Sequence, residues 1–138
     1  MNNVIEYFQE EHKLIHDTLD ELLKVKSGCL AQPALLNKLE SLILSHVSKE
    51  DVEIYAPFKK IASLNLEANK FLEQSHQNLE SVKINAIIFF EKFKGERNEN
   101  LCKTFHRDLT RLAEKINNRI ELEDRELFPF LTNFWRKF

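Results

Sequence analysis

The chain has 138 residues, with 20 basic and 22 acidic side chains and a formal net charge of −2. This length predicts a single domain over residues 1–138 with a substantial core. The near balance of charge argues against a nucleic-acid-binding protein, which normally carries a basic surplus. No apolar run approaches the roughly 18–20 residues of a membrane-spanning helix, and the first residues lack signal-peptide character. We therefore expect a cytoplasmic protein with no nucleic-acid or membrane partner.

The sequence is poor in residues that interrupt helices, with 2 glycines and 3 prolines. Long helices with few breaks are the natural consequence. The two cysteines, Cys29 and Cys102, are isolated and lack the spacing of a metal or redox motif. Their isolation predicts reduced thiols, as in a cytosolic protein.

The first predicted helix runs from about Asn3 to Lys26 and stops at Ser27-Gly28. Apolar residues recur along it at helical spacing, and His12 falls inside their stripe. This stripe consists of Ile5, Phe8, His12, Ile15, Leu19 and Leu22.

The second predicted helix begins at Pro33, which suits a first helical turn, and is disturbed or ended near Tyr55 by Pro57. Residues 58–64 are expected to form a last turn and a connection. Two polar residues stand where the pattern requires apolar ones, so we expect both to point inward. The stripe is Leu35, Leu39, Leu42, His46 and Glu50, widened by Leu36, Ile43 and Val47.

The third predicted helix spans about Leu66 to Lys94, and His76 interrupts its apolar stripe before Gly95 breaks the chain. The third stripe is Leu72, His76, Leu79, Val82, Ala86, Phe89 and Phe93. The fourth predicted helix spans about Glu96 to Glu126. Its stripe is Leu101, Phe105, Leu109, Leu112, Ile116, Arg119 and Glu123.

The remaining segment, Leu127 to Phe138, is rich in aromatic residues. Core or end-cap packing is the commoner role for such residues. We expect the segment to pack against one end of the other helices, with a homodimer formed through it as the second option. The aromatic residues are Phe128, Phe130, Phe134, Trp135 and Phe138.

An internal echo links the second and fourth helices. Residues 46–57 read HVSKEDVEIYAP and residues 119–129 read RIELEDRELFP, so both carry a Glu-Asp pair, a later glutamate and a terminal proline. The first copy has one extra residue, Ala56. His46 precedes Glu50 by four residues, which places an imidazole and a carboxylate one turn apart on the same helix face. In the second copy the corresponding position is Arg119.

Four helices with short connections predict an all-α fold, an antiparallel up-down-up-down four-helix bundle with a short C-terminal segment. Counting residues from the helix ends brings the stripe-breaking side chains to one level, within about one turn. Buried carboxylates and imidazoles are costly unless they are fully paired or bind a metal. A satisfied polar network and a metal site both fit, and a ligand set without cysteine suits iron, manganese or zinc.

These residues resemble the hemerythrin-like (HHE cation-binding) domain family, over about Val4 to Leu131. The matching motifs, in chain order, are Glu11-His12, His46-x-x-x-Glu50 with its ED-x-x-IY-x-P continuation, His76, and Glu123-Asp124-x-x-Leu127-Phe128-Pro129. The resemblance implies a four-helix bundle around a non-haem di-iron centre. It also implies that His12, His46 and His76 are terminal metal ligands and that Glu50 and Glu123 are bridging carboxylates.

By the same resemblance, the protein is expected to bind or sense dioxygen or a related diatomic ligand, or to take part in iron, oxidative or nitrosative stress handling. An enzymatic role ranks lower. Ferritin-like di-iron oxidases use Glu-x-x-His pairs, whereas this chain has His46-x-x-x-Glu50.

Arg119 departs from the family pattern, which has a histidine at that position. A guanidinium stays protonated and cannot ligate a metal, but its planar fork can pair with Glu50 or Glu123. The di-iron centre is then expected to be incomplete. The alternative is a degenerate bundle in which Arg119 replaces a metal ligand and the protein acts through protein–protein contacts.

Overall fold

The computed structural model describes residues 2–25, 33–95 and 98–137, apart from the side chains of Asn2, Trp135 and Lys137. Within these ranges the chain is helical except at short turns and ends, so the all-α prediction is confirmed. The α-helices are α1 (Asn2–Lys24), α2 (Pro33–Glu50), α3 (Ala56–Ala62), α4 (Leu66–Lys94), α5 (Glu99–Cys102), α6 (Phe105–Leu122) and α7 (Phe128–Lys137).

Two short π-helical segments interrupt the α-helices, π1 (Asp51–Tyr55) and π2 (Glu123–Leu127). They coincide with the two copies of the echo, and each ends two residues before a proline, Pro57 or Pro129. Each is closed by a backbone bond spanning five residues, from the N–H of Ala56 or Phe128 to the first carbonyl of the segment. Proline clashes with the carbonyl four residues before it in an α-helix, and the wider turn eases this clash.

The long helices surround one apolar core. Helix α1 packs against α2 and α6, and α4 packs against the same two helices. The predicted stripes are buried almost throughout, from Phe8 and Leu19 on α1 to Leu109 and Ile116 on α6. Among the described residues, no helix has the length and apolar character needed to span a membrane.

The predicted helix bounds agree best with the observed ones where the residues at the helix end themselves form a cap or a break. Helix α4 matches its predicted span, and the Asn65 side chain caps it by accepting a hydrogen bond from the Ala68 N–H. The second helix does not end near Tyr55, since it continues through π1 and α3 to Ala62. The prediction of one continuous fourth helix is wrong, because α5 ends at Cys102 and α6 begins at Phe105. The predicted stop at Ser27-Gly28 and the start at Glu96 lie outside the described residues.

The aromatic C-terminal segment is the helix α7 and packs on its own chain. Phe128 and Phe134 are buried, and the Phe130 ring lies 4.4 Å from that of Phe71 on α4. The prediction that this segment packs against the other helices is confirmed for these residues. The Trp135 side chain and Phe138 lie outside the described part of the chain.

The prediction of reduced thiols is wrong at Cys102, which is disulfide-bonded. Cys29 lies outside the described residues. The prediction of a cytoplasmic location rested partly on free thiols, and that part of its support is lost.

Candidate metal centre

Four of the predicted ligands meet in the middle of the core. His12 comes from α1, His46 and Glu50 from the last turns of α2, and Glu123 from the first position of π2. Each side chain offers one donor atom, and these four atoms all lie within 4.8 Å of one another. The residues are buried, with exposed fractions of 4%, 5%, 0% and 1% in chain order. The helical stripes therefore bring these four polar interruptions together.

Each histidine of this cluster points one ring nitrogen inward and holds the other against an outer carboxylate. Nε2 of His12 lies 2.6 Å from Oε1 of Glu123, and its Nδ1 lies 3.1 Å from Oδ1 of Asp124. Nε2 of His46 lies 3.2 Å from the same Glu123 oxygen, and its Nδ1 lies 3.0 Å from Oε1 of Glu11. Carboxylates that orient metal-binding histidines in this way are typical of metalloprotein sites.

Arg119 enters the same layer. Its Nε donates to Oε2 of Glu123 at 2.7 Å, and its Nη2 donates to Oε2 of Glu50 at 3.2 Å. Nη2 also donates to the Tyr55 hydroxyl at 2.7 Å, and Nη1 donates to the backbone carbonyl of Ser75 at 2.8 Å. The guanidinium is thus buried with its donors paired. It does not bend out to solvent, and its fork pairs with both Glu50 and Glu123, the two partners named from the sequence.

The pKa values in the layer are shifted in opposite directions. Burial opposes the charged form of His46, but hydrogen bonds to Glu11 and Glu123 and the close carboxyl group of Glu50 outweigh it and raise its pKa to about 11. Burial, reinforced by the negative charge of Glu123, raises the pKa of Glu50 to about 8. Burial also disfavours charge on Glu123, yet bonds from His12 and His46 and the charge of Arg119 hold its pKa well below the ordinary value. Without a metal, the Glu123 carboxylate is therefore the counter-charge of two buried cations.

These shifts predict how the stability of the metal-free protein depends on pH. The folded pKa of His46 lies above its unfolded value, so its stabilising contribution is present below about pH 6.5 and is lost as the pH rises toward 11. The raised pKa of Glu50 acts in the same direction between about pH 4.5 and 8. Chelator-treated protein should lose about 2 kcal/mol of unfolding free energy between pH 6.5 and 8.5 from His46 alone, and about 4 kcal/mol with the contribution of Glu50.

Denaturant unfolding at a series of pH values measures this loss. The His46→Gln variant should flatten the dependence, whereas His16→Gln, at an exposed position on α1, should leave it unchanged. A stability that stays constant or rises over this range in the unsubstituted protein would contradict the assignment of a charged His46.

His76 does not join the buried layer, contrary to the expectation that all five predicted ligands converge. Its Nε2 lies 2.9 Å from Oδ1 of Asp51 and 3.6 Å from Oε1 of Glu80, and its side chain is 43% exposed. The His76 ring stacks on the Tyr55 ring at 4.4 Å. Ser75, the residue before His76 on α4, is buried where His76 was expected to be, and both Tyr55 and Arg119 form hydrogen bonds with it. The arginine and the tyrosine thus fill the space toward which His76 was expected to point.

The donor set of the buried cluster fits a metal ion. Imidazole nitrogens and carboxylate oxygens together are ligands of iron, manganese and zinc. Oε1 of Glu50 lies 2.5 Å from Nε2 of His46, yet among the described residues it has no partner in hydrogen-bonding geometry. A fully buried carboxylate oxygen without a hydrogen bond is costly, and a cation between these donors would remove that cost.

A small apolar cavity adjoins the cluster. It has a volume of about 30 Å³, and His46, Arg119 and Glu123 form its polar side. The rest of its wall is aliphatic. Its apolar residues are Ile15, Ile43, Val47, Leu79, Val82, Ile116 and Ile120. Roughly 10–15 Å³ by such a measure is enough for one water-sized molecule, so a diatomic molecule fits beside the cluster.

Sequence reasoning did not assign roles to the outer carboxylates or to the partners of Arg119. Glu11 is adjacent to His12 but bonds to His46 on another helix. The echo contained a usable signal, because the aspartate that follows each leading glutamate pairs with a histidine, Asp51 with His76 and Asp124 with His12. No local pattern marks Ser75 as a partner of Arg119.

Together, the helical fold and the buried histidine–carboxylate cluster define a helical protein of the metal-binding class. Residues 3–131 match the family model of the hemerythrin HHE cation-binding domain, and the chain belongs to that family. No curated protein and no solved structure matches the chain significantly.

Proposed function

We propose that this chain is a non-haem metal-binding protein in which His12, His46, Glu50 and Glu123 hold one ion, and that it binds or senses a diatomic ligand. The observation that carries the proposal is the convergence of four buried donor atoms within 4.8 Å. Their surroundings support it, since outer carboxylates orient both imidazoles toward the common centre. Antiparallel up-down packing of the helices is part of the proposal, supported by the tight turn at residues 63–65 between α3 and α4.

One ion fits this cluster better than two. Ligand atoms about 2.0–2.2 Å from a single ion lie no more than about 4.4 Å apart, and the four donor atoms here all lie within 4.8 Å of one another. Arg119 places a fixed positive charge against the two carboxylates that would bridge a pair of ions. His76, the further terminal ligand implied by the family resemblance, pairs instead with Asp51.

Iron is the proposed metal, and manganese or zinc is the alternative with the same ligand chemistry. Iron in such a site supplies affinity for dioxygen or nitric oxide. The chain itself supplies a small cavity beside the donors, whose wall is aliphatic apart from His46, Arg119 and Glu123. Metal binding must release the proton held by His46, so affinity should rise with pH.

Metal analysis tests the proposal. Protein from iron-fed cells, passed through a weak chelator, should retain about one equivalent of iron, manganese or zinc per chain. The His12→Gln and His46→Gln variants should lose most of it, because each removes an inward-pointing imidazole. The matched control is His16→Gln, which removes an exposed imidazole from α1.

Two outcomes would contradict the proposal in different ways. Retention of two equivalents, unchanged in a Glu80→Gln variant that alters only the outer group of Asp51, His76 and Glu80, would mean that Arg119 moves out of the layer on metallation. Absence of retained metal under every loading condition would favour the metal-free alternative.

That alternative, a degenerate bundle acting through protein contacts, is supported by the completeness of the Arg119 network. Each guanidinium nitrogen donates to at least one described acceptor, as a structural replacement for a metal would. If it holds, chelator treatment should leave the unfolding midpoint of freshly purified protein unchanged. Under the metal-binding proposal, removal of the ion should lower the midpoint.

A further inference from the structure

A second group of metal-ligating side chains lies outside the buried cluster. It consists of Asp51 at the start of π1 and His76 and Glu80 one turn apart on α4, all half-buried. The imidazole Nε2 faces both carboxylates, at 2.9 Å from Oδ1 of Asp51 and 3.6 Å from Oε1 of Glu80. Donor atoms sharing one ion at about 2.0–2.2 Å are roughly 3.0–3.6 Å apart. Both distances from Nε2 are close to that range, and all three donor atoms lie within 4.8 Å of one another, so the group is near the spacing that a single small cation requires.

Two neighbouring features fix the position of this group. The Tyr55 ring stacks on the His76 ring at 4.4 Å, which holds the imidazole plane in place. The π1 segment begins at Asp51 and directs this carboxylate toward α4, whereas the preceding Glu50 points into the core. The geometry thus depends on ordered helical backbone and a buried aromatic ring.

The group also opens onto a cavity. A surface pocket of about 640 Å³ is bordered by Asp51, His76 and Glu80, with Tyr55, Lys59 and Glu73 on its other sides. A cation held by three protein donors would keep free positions toward this pocket, as catalytic and exchangeable zinc sites do. Solvent access distinguishes it from the buried cluster, whose donors are closed off by the core.

The two groups are separate because side chains stand between them. Arg119 bonds to Glu50 and Glu123 on one side and to the Tyr55 hydroxyl on the other. His76 lies against the Tyr55 ring. An ion at the outer group would therefore share no ligand with the buried one.

We propose that Asp51, His76 and Glu80 form a second, exchangeable binding site for a divalent transition-metal ion of the zinc class. One nitrogen and two oxygen donors suit zinc, cobalt or manganese and offer no soft sulfur ligand. The site does not depend on the proposed function, because it uses none of the four buried donors.

The chain contains a matched control for surface binding. His16 and Asp20 on α1 have the same four-residue spacing as His76 and Glu80, with Nε2 of His16 3.3 Å from Oδ2 of Asp20. That pair does not belong to a described group of three ligands, so it represents what an isolated exposed pair can bind.

Calorimetric titration of the chelator-treated full chain with Zn²⁺, repeated with Co²⁺ to record its absorption, tests the site. We expect saturable binding that His76→Gln, Asp51→Asn and Glu80→Gln each weaken by at least tenfold, while His16→Gln leaves it unchanged. His46→Gln should spare this binding event, since it alters only the buried cluster. Circular dichroism of each variant would show that the fold is retained.

Other results would overturn the proposal. Loss of the same binding event in His46→Gln, with no effect of Glu80→Gln, would show that His76 turns inward and completes the buried site. Binding that is weak, unsaturable and equally sensitive to His16→Gln would show general surface affinity. Neither result decides the proposed function, which is tested separately by the metal that the buried cluster retains after passage through a weak chelator.

Discussion

Substitution of Arg119 by histidine should raise the retained metal from about one ion toward two per chain. The substitution removes a buried cation that lies 2.7 Å from Glu123 and 3.2 Å from Glu50. At about 4 Å and an effective dielectric near 20, a unit charge opposes each charge of an incoming cation by about 4 kcal/mol before relaxation. Even a third of that corresponds to about a tenfold change in affinity. Histidine also supplies a ligand at the position where the family pattern has one.

Metal analysis and calorimetry of the Arg119→His variant measure the gain, and Arg111→His is the control. Arg111 lies two turns earlier on α6 and is exposed, so its replacement adds an imidazole without touching the layer. An Arg119→His protein that binds no more metal than the parent would show that the arginine charge does not limit occupancy. Because the three Ser75 and Asn78 contacts of Arg119 are lost as well, the metal-free variant should be less stable than the parent.

Much of the fold could be predicted because the apolar spacing that forms the helices also selects the core. Phe8, Leu39, Leu79 and Leu109 lie on predicted stripes and are fully buried or nearly so. The same logic located the four buried candidate ligands and Arg119, since a glutamate such as Glu50 in an apolar stripe has nowhere else to point. Periodicity of this kind depends only on helix geometry.

The placement of His76 could not be predicted from periodicity, because it was decided by neighbours on other helices. The Arg119 side chain is long enough to reach Ser75 on α4, and the Tyr55 hydroxyl bonds to the same serine at 2.6 Å. These contacts favour burial of Ser75 and leave His76 beside it, against Asp51. A stripe analysis assumes that each inward position has room, and here two side chains from other elements occupy it.

The π-helical segments were missed for a different reason. Pro57 predicted a disturbance and Pro129 ends the second copy of the echo, but a proline can end a helix, kink it or be accommodated in a wider turn. At both copies of the echo the proline is accommodated by a wider, π-helical turn. Both π-helical segments end two residues before their proline, and the first copy has one extra residue, Ala56, between its leading glutamate and its proline. Glu50 therefore lies just before π1, whereas Glu123 is the first residue of π2.

Replacement of Glu123 by glutamine should destabilise the metal-free protein severely, by about 3–5 kcal/mol, the cost of removing one partner of a buried ion pair. Its carboxylate lies 2.6 Å from His12, 3.2 Å from His46 and 2.7 Å from Arg119. Glutamine keeps the shape but not the charge, so the cations of His46 and Arg119 lose their shared counter-charge. For a chain of this size the unfolding midpoint should fall by more than about 10 °C.

The twin substitution Glu50→Gln should cost less than about 1 kcal/mol at pH 7, although Glu50 is equally buried. Its pKa of about 8 means that the carboxyl group is mostly protonated at that pH, so an amide removes little charge. Glu126→Gln, in π2 but exposed, is the surface control. Thermal and denaturant unfolding of the three variants at pH 7 measures the contrast. Equal losses for Glu123→Gln and Glu50→Gln would show that the two carboxylates share the charge, because either one could then ionise to balance Arg119 and His46 when the other is removed.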